Sequence, residues 1–140
     1  MKVQAFPLAW RWTDSRYSVL PETVLSQLQP MELHDARRAF QRAQEFRSHI
    51  RHSRVSHSAD VPDEKGRAWL RQQHNDLDAI VIIAWSPECA LRTTWRIFTD
   101  YWSDFCYPSS DDVAVWPESK RWVLFYDHEE QFEFAERPSA

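Results

Sequence analysis

Glycine is almost missing from this 140-residue chain: Gly66 stands alone. A Walker loop or a dinucleotide-binding fingerprint needs several glycines so that backbone can close on phosphate, and both kinds of nucleotide cradle are thereby excluded. Cysteine is scarce as well. Cys89 and Cys106 have no metal-ligand spacing, which argues against a disulfide framework and for a reducing, cytoplasmic setting. No apolar run reaches the roughly 18 residues of a membrane span, so no membrane partner is expected. The opening residues Met1, Lys2 and Val3 begin no signal-peptide core, because Pro7, Arg11 and Asp14 interrupt it. A nucleophile elbow, a His-Glu-x-x-His helix and a Cys-x-x-Cys pair are also missing. No cofactor, resident metal or catalytic residue is assigned, and the chain reads as a non-enzyme.

Aromatic residues are plentiful: eight Trp, eight Phe and four Tyr, within a hydrophobic share of 43%. That composition belongs to a folded chain, and residues 1–140 are read as one domain able to bury about two-thirds of its unfolded surface. The C-terminal part organises the rest. Ser86 as N-cap, Pro87 and Glu88 predict a helix running to Phe105. Its apolar positions Ala90, Leu91, Thr94, Trp95, Ile97, Phe98, Tyr101, Trp102 and Phe105 span an arc of about 160°. An acidic turn follows (Tyr107, Pro108, Ser109, Ser110, Asp111, Asp112), then a meander of strands at 113–116, 122–126 and 131–135. The middle strand is apolar on both faces, and the last alternates Phe132 and Phe134 with Gln131 and Glu133 as an acid-bearing edge.

Upstream, Pro7 limits residues 3–12 to an edge strand or two short segments, and Pro21 and Glu22 open a short helix that Pro30 stops. A longer helix is predicted from residue 31 or 32 to 50, with Leu33, Ala36, Phe40, Ala43 and Ile50 inward. Residues 51–62 read as a connector, 63–73 as a helix anchored by Trp69 and Leu70, and 78–85 as the most strand-like run. The expected fold is α+β: a mostly antiparallel sheet with a C-terminal three-stranded meander, covered by about four helices.

Charge is unevenly spread. Residues 1–77 carry +3, whereas 100–136 carry −8, with only Lys120 and Arg121 against ten acids. An acidic surface repels phosphate backbones and attracts cationic partners, so a protein partner is expected and nucleic acid is not. Asp and Glu also simply solubilise an aromatic-rich meander and guard its edge.

The charged clusters admit several chemistries. If the strands at 113–116 and 122–126 pair as a hairpin, Asp111 and Asp112 meet His128, Glu129 and Glu130 at one end. Such a group suits a hard cation or, with Ser109 or Ser110, acid–base work, and it equally suits docking or plain turn chemistry. Asp112 followed by Glu118, Ser119 and Lys120 has the outline of a nuclease metal motif, but the turn between them is too short for strand ends to converge. Arg47, His49, Arg51, His52, Arg54 and His57 form a basic, histidine-rich helix end, suited to the helix dipole and, less readily, to a metal or an anion.

Residues 101–113, with 122–134, resemble a family of small uncharacterised proteobacterial proteins, the domain of unknown function 2947; the string Tyr107, Pro108, Ser109, Ser110, Asp111, Asp112 carries the likeness. The resemblance covers about the last 55 residues and implies a short standalone protein with no assigned activity. In general character the chain is also similar to bacterial toxin-immunity proteins, a likeness of composition and not of motif.

These observations lead to an expected function: a cytoplasmic, immunity-type binding module that neutralises a cationic toxin or effector enzyme through its acidic, aromatic C-terminal surface. The expected partner-binding residues are Tyr107, Ser109, Ser110, Asp111, Asp112, Trp116, His128, Glu129, Glu130 and Glu133. One alternative is a metal-assisted hydrolase using Asp111 and Asp112 with His128, Glu129 and Glu130. Another is a homo-oligomer in which basic residues 37–54 meet a neighbour's acidic edge.

Overall fold

A computed structural model describes residues 1–49 and 54–136. Ile50, Arg51 and His52, assigned above to the end of the long helix and its basic segment, lie outside the described residues. Seven strands form one antiparallel sheet: β1 (Gln29–Pro30), β2 (Arg54–Ser58), β3 (Ile80–Ser86), β4 (Cys89–Thr94), β5 (Val113–Pro117), β6 (Trp122–Asp127) and β7 (Gln131–Glu136), in the order β1-β4-β3-β5-β6-β7-β2. The helices are α1 (Trp10–Thr13), α2 (Glu22–Leu25), α3 (Leu33–His49), α4 (Asp63–Gln73), α5 (Trp95–Asp100) and α6 (Trp102–Phe105). The fold is α+β, as expected, and the meander has the predicted strands.

Both faces of the sheet are covered, and this explains why the central strands are apolar throughout. On β3, β5 and β6, alternate residues enter two separate cores: Val81, Ile83, Val113, Val115 and Leu124 on one face, Ala84, Ala114, Trp116, Val123 and Phe125 on the other. Helix α3 covers the second face with Ala36, Ala39, Ala43 and Phe46. Alanines on helix and strands alike let the two layers approach closely, and Trp116 fills the remaining space against Phe46, ring centroids 5.7 Å apart. Leu33, expected inward, is 44% exposed; the buried stripe is Ala36, Ala39, Ala43 and Phe46.

The first face carries the tryptophans. Trp12, Trp85, Trp95 and Trp102 each donate the indole N–H to a backbone carbonyl, those of Asp104, Phe105, His74 and Asp63 respectively, at 2.8 to 2.9 Å. Trp12, Trp95 and Trp102 bury their rings and Trp85 is partly buried, each with its single polar atom satisfied, and the bonds tie together segments far apart in the chain. At Gly66 on α4 there is no room for a Cβ: it would fall 2.5 Å from Trp102 Cζ2. The lone glycine of the chain therefore serves close helix packing.

Three expectations change. The helix predicted from Ser86 is instead a hairpin followed by two short helices: Ala90 and Leu91 are both fully buried on opposite faces of β4, and Thr94 caps α5 by accepting from the Ile97 N–H at 3.2 Å. Helical and strand periods both fitted residues 89–94, and pairing with β3 and β1 decided between them. The connector contains β2, which pairs along all of its length with β7, so β7 is an interior strand and not an edge. Residues 3–12 form a 3₁₀ turn at Val3–Ala5 and then the start of α1 rather than strands, because they cap the tryptophan core instead of extending the sheet.

Candidate functional site

Two turns meet at one end of the meander. In the first, Ser109 takes a left-handed backbone (φ 71°) and donates its N–H to the His128 carbonyl at 3.1 Å. In the second, Asp127 Oδ1 accepts from the Glu129 and Gln131 N–H groups, and Glu130 is left-handed (φ 60°) with its N–H on the Asp127 carbonyl. Asp112 crosses between the turns, Oδ1 accepting from the His128 backbone N–H at 3.1 Å and lying 3.0 Å from His128 Nδ1. The Asp112 carboxylate raises the His128 pKa above its ordinary value. Burial pushes Asp112 upward, but the His128 hydrogen bonds and charge outweigh it and hold the carboxyl below the usual value. The turns thus converge as the hairpin geometry predicted.

Not every acid there is available. Asp111 is 7% exposed and clasped bidentately by Arg11 of α1, at 2.6 and 3.0 Å, while also accepting from the Tyr107 N–H. Arg11 is itself buried and lies over the Tyr107 ring, 4.0 Å from its centroid. Asp111 is an internal anchor that shapes the turn, which corrects its assignment as a contact residue. Trp116 is corrected too, being 1% exposed beneath α3. Glu133 pairs with Arg54 across β7 and β2 at 2.6 Å, so part of the basic segment meets the acidic strand within one chain.

Tyr107, half-buried, and Ser109, Ser110, Asp112, His128 and Glu129, all exposed, remain at the surface, with Glu130 half-buried beside them. The structure adds two residues that sequence reasoning missed. Trp10 is 40% exposed and Tyr17 50%. Their rings meet at 4.7 Å, and Trp10 also meets Tyr107 at 5.9 Å, so three aromatic rings lie together beside the acidic turns. The available signal was Trp10 and Trp12 flanking Arg11: in the short helix, Trp12 turns inward and Trp10 outward.

Among the described residues, no three His, Cys, Asp or Glu side chains gather to hold a metal ion, and Cys89 and Cys106 are buried free thiols. No described helix is long and apolar enough to cross a membrane. No family model matches this chain, and no curated protein or solved structure matches it either.

Proposed function

We propose that this protein is a cytoplasmic binding module of the immunity type, which neutralises a cationic toxin or effector enzyme through the end of the molecule where the two turns meet. Trp10, Tyr17 and Tyr107 supply the central apolar area. Glu129 and Glu130, with Asp112 held against His128 beside them, form an acidic rim that steers a cationic partner and disfavours nucleic acid. The observation that carries this reading is the three-ring cluster at the surface beside the acidic turns. Large aromatic side chains left in water and rimmed by charge are the usual makings of a protein interface.

Metal-assisted hydrolysis has less to draw on, because Asp111 is engaged by Arg11 and Asp112 by His128. To test the docking reading, the binding target is recovered by pull-down from the native cell and its kinetics are measured with two variants. Trp10→Ala should accelerate dissociation, weakening affinity by about thirtyfold or more, as expected for a loss of roughly 2 kcal/mol at a hot spot. Glu129→Lys should slow association severalfold at low salt and converge on wild type as salt rises. Wild-type kinetics in both variants would sink the assignment.

A further inference from the structure

The opposite end of the meander carries a second surface of opposite charge. A groove of about 380 Å³ runs between the first half of α3 and the strands beneath it, with Ile82 and Met31 in its lining. Arg38 and Arg42 lie one helical turn apart on α3, and Arg92 of β4 and Lys120 of the β5–β6 turn line the same groove. Four cations thus line one small concavity, with Asp35 as the one acid.

Carboxylates meet only part of this charge. Arg38 and Lys120 form no ion pair among the described residues. Arg42 pairs with Glu45, and Arg92 with Glu118 at 3.5 Å, through side chains that are well exposed at both ends. Exposed pairs of this kind contribute little, so exchanging them for a multiply charged anion is cheap. Guanidinium forks match phosphate oxygens bidentately, and a lysine adds a point charge. Lys120 is held in place by its turn: its backbone is left-handed (φ 60°) and its N–H donates to the Pro117 carbonyl at 2.9 Å.

We propose that this groove binds a small molecule carrying two or more phosphate groups, the phosphates on the four cations and any apolar body over Ile82 and Met31. The volume lies in the range of small-ligand sites, and the site is independent of the acidic end.

Calorimetric titration of the full chain with inorganic triphosphate, and separately with ATP, tests this. Saturable one-to-one binding that weakens with added salt is expected. Lys120→Gly removes the side chain while keeping a backbone that glycine adopts freely, and Arg38→Ala sits on an exposed helix face, so both variants should fold. Each should bind triphosphate about tenfold more weakly or worse, as for loss of a charge-assisted hydrogen bond. Arg16→Ala, a highly exposed arginine of the aromatic end, should bind as wild type does. Tighter binding of ATP than of triphosphate would add the apolar floor to the recognition, and equal binding would assign it to the oxyanions alone. Absent binding, undiminished affinity in both groove variants, or a strong preference for a single-stranded oligonucleotide or an acidic peptide would overturn the proposal.

Discussion

Arg11 and Asp111 stand a hundred positions apart, and both are nearly excluded from water. A buried pair of this kind matters chiefly through what happens when one partner is removed. Asp111→Asn keeps an oxygen for the Tyr107 N–H but leaves the guanidinium uncompensated, and should lower stability by about 3 kcal/mol in urea unfolding. Glu129→Gln, an exposed change, should stay within about 0.5 kcal/mol of wild type. The Asp112–His128 pair is a different case, exposed and titratable. Since the His128 value is raised above 6.5, the hold of its charged form on the first turn is complete below 6.5 and fades as pH climbs through the raised value. The Asp112 value is lowered from 3.8, so its share is present above 3.8 and is lost as pH falls through the lowered value. The turns are therefore clamped best between those limits. An NMR titration should place His128 above 6.5 in the wild type and return it toward 6.5 in Asp112→Asn; an unmoved value would show that the bond does not form in solution.

Helix α4 owes its position to the one place where it lacks a side chain. Gly66→Ala sets two effects against each other. Alanine improves helix propensity by about 1 kcal/mol. Its methyl group, however, meets the Trp102 ring, which is fixed by the indole bond to the Asp63 carbonyl. Overpacking of a fixed ring costs about 1–3 kcal/mol. The net expectation is destabilisation by about 1 kcal/mol, with a shift in tryptophan fluorescence; a more stable variant would mean that Trp102 moves freely. The hairpin joining β3 and β4 shows an element decided by its neighbours. Ser86, Pro87 and Glu88 resemble a helix start, yet Ile80 to Ile83 offers a strand edge, and residues 89–94 gain more by burying both faces against it than by winding on one.

At the scale of the molecule, one sheet is buried between α3 and the tryptophan layer, and its middle strands contribute to both cores. Neither core stands without the sheet, so the chain should unfold as one unit. Tryptophan fluorescence and far-UV circular dichroism should follow a single coincident urea transition, and two separated transitions would refute the one-domain reading. The charge division is global as well, with the acidic turns at one end of β5 and the basic groove at the other. Much of this was legible locally. Turn chemistry and period-two patterning gave the meander, helical periodicity gave α3 and α4, and a hairpin between β5 and β6 necessarily brings Asp112 to His128. Those signals act over a few residues. Tertiary structure alone decided that Arg11 takes up Asp111, that Trp116 points inward while Trp10 stays at the surface, and that β2 covers β7. Each of these depends on a partner tens of residues away and on which face of the sheet is covered, and neither is encoded in any window of the chain that could be read by itself.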